Sequence, residues 1–414
     1  MTERNLPPDF DDEEDDLDEL LAAGDLDDLD DLEELEGLLA AGNLDALGAE
    51  YDDPIGAARR HLSVDQLLER LVRNDDSLLL QDLLVLSDLS RDEMERVERV
   101  WPQIALELRR RVVRDLVASS PDLIDLNLGR LLRVALRDAD EEVRLGAVQG
   151  LWEDADPDLI GPMVQLLQQP GDENLRAAAA TVLGGFVLAG ELEELDAALA
   201  MRVEQALLEV LHDLEEPLQV RCRALESIAY SSEAGLRQLI QDAYYSPLEE
   251  MRLSSVRAMG RSADTRWRSM VRAELSSPEP AMRAEAARAC GELEVKAALP
   301  RILQMVGDEE LEVRVAAIEA LGHLGGKEAR ALLRSITAEE GAEESPEAEA
   351  AEAALDEMLF WEEAGSAALL EELEDGEAVD ADDDADEDDD DDDRTDLDDV
   401  DPWQHKPTQP WDDE

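Results

Sequence analysis

In the middle of this chain apolar residues fall on a helical stripe that is repeatedly broken and restarted. An apolar residue followed by Arg recurs at Val143-Arg144, Leu175-Arg176, Val220-Arg221, Met251-Arg252, Met282-Arg283 and Val313-Arg314, at intervals of 32, 45, 31, 31 and 31 residues. Three residues after each Arg stand Ala147, Ala179, Ala224, Ser255, Ala286 and Ala317, all small. Seven after it come Leu151, Leu183, Ile228, Met259, Cys290 and Leu321, all apolar. With the residue before the Arg, these positions form one face of a helix of period 3.6. Gly184, Gly260, Gly291 and Gly322 follow one step later and suit a helix end or a tight contact. A shorter apolar helix precedes each stripe, as at residues 159–167 and 299–306, with Asp138, Ser246, Ser277 and Asp308 placed to start the second helix. No period-two strand pattern competes. The reading is a stack of helix pairs, one pair per interval.

Two places depart from the repeat. The 45-residue interval holds about one helix more than its neighbours, and residues 190–211 read as helical throughout. It is either an insertion on a working face or a lengthened first helix. A weaker seventh copy runs through residues 347–355, with Ala348 in place of the Arg and Glu352 in the core column, a drift toward polarity that suits a terminal cap. Upstream, residues 56–122 read as a separate helical segment with capping boxes at Ser63–Gln66 and Ser90–Glu93 and a helix restarted by Pro102.

The second helix of each pair resembles the HEAT-repeat family, whose pattern is approximately D-x-x-x-x-V-R-x-x-A-x-x-A-L-G; Asp308 through Gly322 follows it closely. The resemblance covers residues 123–359 and implies an all-α solenoid over residues 123–364. It also implies that Arg144, Arg176, Arg221, Arg252, Arg283 and Arg314 form a structural column, joined in a hydrogen-bonded ladder between repeats. HEAT arrays serve many functions, so the fold alone assigns none.

Charge sets the rest of the picture. Residues 1–55 carry 22 acids against Arg4, and residues 371–414 carry 24 against Arg394 and Lys406, out of a chain total of −70. Residues 1–55 and 365–414 are therefore expected to be acidic, mostly disordered tails. With three Lys in the whole chain and a net charge of −70, nucleic acid is expected to be repelled and a basic protein is the better-matched partner. Leu26, Leu29, Leu32, Leu35 and Leu38 thread the first tail at steps that would let it form an amphipathic helix on a partner. In the second, Pro402-Trp403 and Pro410-Trp411 stand among acids, the pattern of a short docking peptide. The one dense basic run, with Arg109, Arg110, Arg111 and Arg114, has two readings: ion pairs with neighbouring helices, or a dock for an acidic segment, including this chain's own tails.

Candidate chemistry is sparse. Asp380, Asp382, Asp384, Asp386, Asp388 and Asp391 match the ligand spacing of a calcium loop, but Ala385 occupies the turn-glycine position, and any Asp run would match. The four His lie far apart and none forms the His-Glu pairs of HEAT-like hydroxylases; hydrolase, P-loop and dinucleotide motifs are missing. Cys222 and Cys290 suit a reducing cytoplasm, and no signal peptide or membrane span is read. The expectation is a non-catalytic, cytoplasmic protein-binding scaffold that needs no cofactor. The rival reading is an enzyme-associated role like that of bilin-lyase-like HEAT proteins.

Overall fold

A computed structural model describes residues 53–75, 77–121, 123, 125–233, 235–338 and 345–360. Among these residues every regular element is helical. The elements are α1 (Pro54–His61), α2 (Val64–Val72), α3 (Leu80–Leu83), α4 (Arg91–Val100), α5 (Leu106–Ala118), α6 (Gly129–Ala135), α7 (Glu141–Gly150), α8 (Ile160–Gln168), α9 (Glu173–Glu191), α10 (Ala197–His212), α11 (Leu218–Ile228), α12 (Leu236–Tyr244), α13 (Glu249–Arg261), α14 (Arg268–Glu274), α15 (Pro280–Glu292), α16 (Leu299–Met305), α17 (Leu311–Leu324) and α18 (Lys327–Thr337). A further helix, α19, spans residues 346–360.

From α6 onward the helices pair as α6/α7, α8/α9, α10/α11, α12/α13, α14/α15, α16/α17 and α18/α19, here repeats one to seven. Each second helix packs on the next, α7 on α9, α9 on α11, and so on to α17. The columns read from the sequence form these interfaces. Ala147, Ala179, Ala224, Ser255, Ala286 and Ala317 are fully buried, as are Leu183, Ile228, Met259, Cys290 and Leu321. One continuous core results.

The glycine column marks close approach rather than helix ends. A Cβ on Gly260 would stand 3.0 Å from the Cα of Ala289, one on Gly291 3.1 Å from the Cα of Ala320, and one on Gly322 3.1 Å from the Cα of Ala354. Alanine faces glycine at each crossing, so the backbones themselves meet.

The array begins earlier than the sequence pattern suggested. α4 and α5 take the places of a leading pair, α4 packed on α6 and α5 on α7, with Leu108, Val112 and Leu116 in the three columns. Val112 is too large for the small-residue column, which hid this copy. Two other valines of α5 are accommodated by glycine on the partner helix: Gly146 faces Val113 and Gly150 faces Val117, each so close that a Cβ would fall within 3.0 Å of a valine methyl. Both capping boxes form, at Ser63–Gln66 and Ser90–Glu93. Pro102 lies in a single 3-10 turn, Trp101–Gln103, rather than starting a helix.

The long interval contains no third helix. α9 runs about two turns past Gly184 and α10 is correspondingly long, with a break between them where Glu193 takes a left-handed conformation at φ 60°. In α19 the core positions are Ala351, Ala354 and Met358, while Glu352 faces solvent.

Crowding predicts opposite outcomes for two substitutions. Gly322→Ala should destabilise the chain by about 1–3 kcal/mol in urea titrations, since Ala354 must move. Gly185→Ala, in mid-helix with open space around it, should stabilise by up to about 1 kcal/mol.

Candidate binding surface

Each column arginine turns back onto its own repeat. Arg283 Nη1 donates to the carbonyls of Ser277 (3.1 Å) and Pro278 (3.2 Å), and Arg314 Nη1 to those of Asp308 (3.0 Å) and Glu309 (3.1 Å). Arg144 and Arg252 make the same pair of bonds, to Asp138 and Ala139 and to Ser246 and Pro247. Arg176 Nε and Arg221 Nε each donate to one carbonyl, of Leu167 at 2.9 Å and Leu211 at 3.4 Å. These carbonyls end the first helix or form the turn after it, where the helical ladder leaves acceptors without partners.

The link to the following repeat is a carboxylate, and it exists at only some rungs. Arg176 meets Glu216 at 2.6 Å, Arg283 meets Asp308 at 2.8 Å and Arg314 meets Glu347 at 2.7 Å. Arg109 of the leading pair meets the fully buried Asp138 at 3.2 Å, and Trp101 Nε1 donates to the same carboxylate at 2.7 Å. Arg144, Arg221 and Arg252 have no such link among the described residues.

Asp138, Ser246, Ser277 and Asp308 do not cap the second helices, which start three residues later. They form side-chain turns: Asp138 accepts from the Asp140 amide at 2.9 Å, Ser246 from Leu248 at 3.1 Å, Ser277 from Glu279 at 3.4 Å and Asp308 from Glu310 at 3.1 Å.

A second set of ion pairs, absent from the sequence reading, crosses the second helices five residues after the column arginine. Glu226, 2% exposed, accepts from Ser254 Oγ at 2.6 Å and pairs with Arg223 at 2.5 Å and Arg257 at 3.2 Å. Arg257 also donates through Nε to Glu285 at 2.8 Å; Arg288 joins Glu285 at 2.9 Å to Glu319 at 2.9 Å. The signal lay in register, since Glu226, Arg257, Arg288 and Glu319 share one position of successive repeats. Composition concealed it among many other charges.

Toward the carboxyl ends of the same helices the surface opens into two grooves. One, of about 730 Å³, runs over Gly260, Gly291 and Gly322 and is lined by Tyr230, Arg261, Glu292, Lys296 and Met358. The other, of about 550 Å³, lies over α17 and α19 beside Arg288, Glu319 and Glu349. Glu292 and His323 line both. His323 Nδ1 lies 2.9 Å from Glu357. Arg261 donates to the Glu226 carbonyl at 3.1 Å and sits over the Tyr230 ring at 5.5 Å. Glu292 is open to the groove yet surrounded by protein, and this desolvation pushes its carboxyl up to about 7.

The basic run is largely engaged inside the fold. Besides Arg109, Arg110 holds Asp140 through two bonds of 2.9 and 2.7 Å and Glu142 at 2.9 Å, and Arg111 donates to the Leu78 carbonyl at 2.7 Å and to Asp115 at 3.1 Å. Arg114, the most exposed, lies 3.3 Å from Asp115. These contacts are the ion pairs with neighbouring helices that one of the two readings expected. Trp403 and Trp411, the calcium-loop aspartates and the leucines of the first tail lie outside the described residues. Cys222 and Cys290 are buried and unpaired, and burial pushes the Cys290 thiol up to about 12, so neither suits nucleophilic chemistry. Trp267 is buried, whereas Tyr245 is 60% exposed. No described helix is long and apolar enough to cross a membrane.

The ion pairs predict how stability follows pH. The Arg283 hydrogen bond holds Asp308 below the usual carboxylate range, against desolvation. Burial pushes Glu285 up, but Arg257 and Arg288 outweigh it and hold the group low. Stability from both is complete above about pH 4–5 and is lost as pH falls through the depressed values. Asp308→Asn should flatten that acid limb in thermal melts. Glu292 has the opposite sign: its raised value means stability is lost as pH rises from the ordinary range through about 7, so Glu292→Gln should melt higher than wild type at pH 8.

A family model for HEAT repeats matches residues 129–207 and 269–356. No curated protein matches the chain. Similar solved structures include human deoxyhypusine hydroxylase in complex with glycerol (18% identity, covering 66% of this chain and 99% of that one, TM-score 0.29). An engineered protein is similar at 19% identity, covering 47% of this chain and 95% of its own, with TM-score 0.29. Importin beta is similar at 13% identity, covering 73% of this chain and 48% of its own, with TM-score 0.36. Stacked helix pairs, a shared arginine and small-residue register, and the family match together identify HEAT repeats over residues 129–207 and 269–356.

Proposed function

We propose that this protein is a non-catalytic scaffold that grips a protein segment along the second-helix face of repeats four to seven. The observation that carries this reading is the run of two adjoining grooves across α13, α15, α17 and α19, sharing Glu292 and His323. An elongated, open trough of mixed charge fits an extended chain better than a small molecule, which is held in an enclosed and mostly apolar pocket. Glycine and alanine backbone forms part of the floor, so a partner's main chain can lie close. Glu294, Glu319, Glu349 and Glu357 give the trough an acidic excess over Arg261, Arg288 and Lys296, which favours a basic segment. The two acidic tails extend the same preference, recruiting or masking such a partner by charge. A cytoplasmic setting accords with the buried free thiols.

The test is affinity capture from native lysate with the full chain, followed by affinity measurement on the partner identified. Glu292→Arg and Glu357→Arg, alone and together, are expected to weaken binding by about tenfold each at low salt, with melting temperatures unchanged or raised. Binding that survives both reversals would overturn the assignment of the trough. A coloured ligand copurifying with the chain would overturn the scaffold reading in favour of a bilin-lyase-like role.

A further inference from the structure

Arg221 sits at the edge of a crevice between repeats three and four. Its neighbours in the column define what such an arginine takes: Arg109, Arg176, Arg283 and Arg314 each hold a carboxylate of the following repeat. In two of these rungs the acid stands six residues before the next column arginine, Asp138 before Arg144 and Asp308 before Arg314. At the corresponding place before Arg252 stands Ser246, which makes the same side-chain turn but carries no charge. Arg221 is left with one long bond, 3.4 Å to the Leu211 carbonyl. Beside it the two repeats part to leave a cavity of about 270 Å³, walled by Leu211, Leu214, Leu239, Leu248 and Met251. Leu214 is 56% exposed and Leu248 43%, unusual for leucines on a surface this acidic. Asp242, the carboxylate in the wall, accepts from Gln238 at 2.7 Å.

A guanidinium without its carboxylate beside an apolar slot is a site for a bulky apolar side chain next to an acid. The geometry points to this chain's own segment Pro410-Trp411-Asp412-Asp413-Glu414 as the occupant, with the indole between Leu214 and Leu248 and one following carboxylate on Arg221. The tether permits it. Fifty-one residues separate positions 360 and 411, a reach of up to roughly 170 Å when extended. The crevice lies about four repeats back, some ~40 Å at ordinary helix spacing. Attachment to the same chain raises the effective concentration of the segment and compensates for a small contact area. Tail masking, part of the scaffold reading, thereby acquires a location, although the contact does not depend on which partner the trough binds.

The experiment uses the full chain with p-benzoylphenylalanine replacing Trp411, irradiated in dilute solution, with the cross-linked peptide mapped by mass spectrometry. The expected product is an intramolecular cross-link to residues 211–214 or 239–251. Ser246→Asp supplies the missing rung in the geometry that Asp138 and Asp308 already adopt. It should raise the melting temperature and lower the cross-link yield by about tenfold or more, the equilibrium worth of one charge-assisted hydrogen bond. Leu214→Glu, on an exposed position, should lower the yield without loss of fold. A cross-link elsewhere on the chain, to a second molecule, or nowhere would overturn the proposal, as would a yield unchanged in a folded Ser246→Asp chain. None of these outcomes bears on partner binding at Glu292, so the two readings fail independently.

Discussion

The closeness of neighbouring second helices governs this structure. Where Gly260, Gly291 and Gly322 cross Ala289, Ala320 and Ala354, no side chain beyond a methyl separates the two backbones. That contact fixes the stacking distance, and the larger residues before and after it, such as Met282 and Cys290 on α15, then fill the remaining space without voids. The arginine column depends on the same spacing. A guanidinium that is already anchored on its own repeat's carbonyls reaches a neighbour's carboxylate only if the next repeat lies at this distance.

Buried charge is tolerated along the second helices because every such group has a partner with good geometry. Glu226 and Glu285 are each 2% exposed, and an isolated carboxylate there would be strongly disfavoured. Each instead receives arginine from two positions, Arg223 and Arg257 for the first and Arg257 and Arg288 for the second. The pairs also set register: a slip of one residue would set Arg257 against Ala284 or Ala286 in place of Glu285. Glu292, two turns further on, shows what happens without a close cation, its carboxyl displaced toward neutrality by the surrounding protein.

Positions whose environment is set by helix period and size were legible in the sequence. The arginine, alanine and core columns from Arg144 to Arg314 fall where the period placed them. Size compensation across an interface was not legible: Val113 and Val117 on α5 fit against α7 because that helix presents Gly146 and Gly150 to them. Turn chemistry also misled. Asp138 and Asp308 have the composition of caps, but two further residues intervene before each helix, and the carboxylates serve the turn and the arginine of the preceding repeat. The basic run at Arg109 gave no sign of its partners, because Asp138, Asp140 and Leu78 are brought to it only by the packing of α5 between its neighbours. The trough at Glu292 is likewise a product of stacking, assembled from residues some thirty positions apart.

Between repeats three and four the described ion pairs lie on one side only. Glu226 and Arg257 join them along the second helices, whereas at the turn edge Arg221 binds its own repeat alone; repeats four and five are tied again at that edge, where Tyr244 donates to Glu274. Repeats five and six, by contrast, are joined on both sides, through Arg283–Asp308 and Arg288–Glu319. The junction of repeats three and four is thus built like a door: the hinge line runs through buried Glu226, the free edge lies at the turns, and the edge can swing without parting the pair on the hinge. Bending of the rod has a preferred location and a preferred axis, set by where the sequence places serine instead of aspartate.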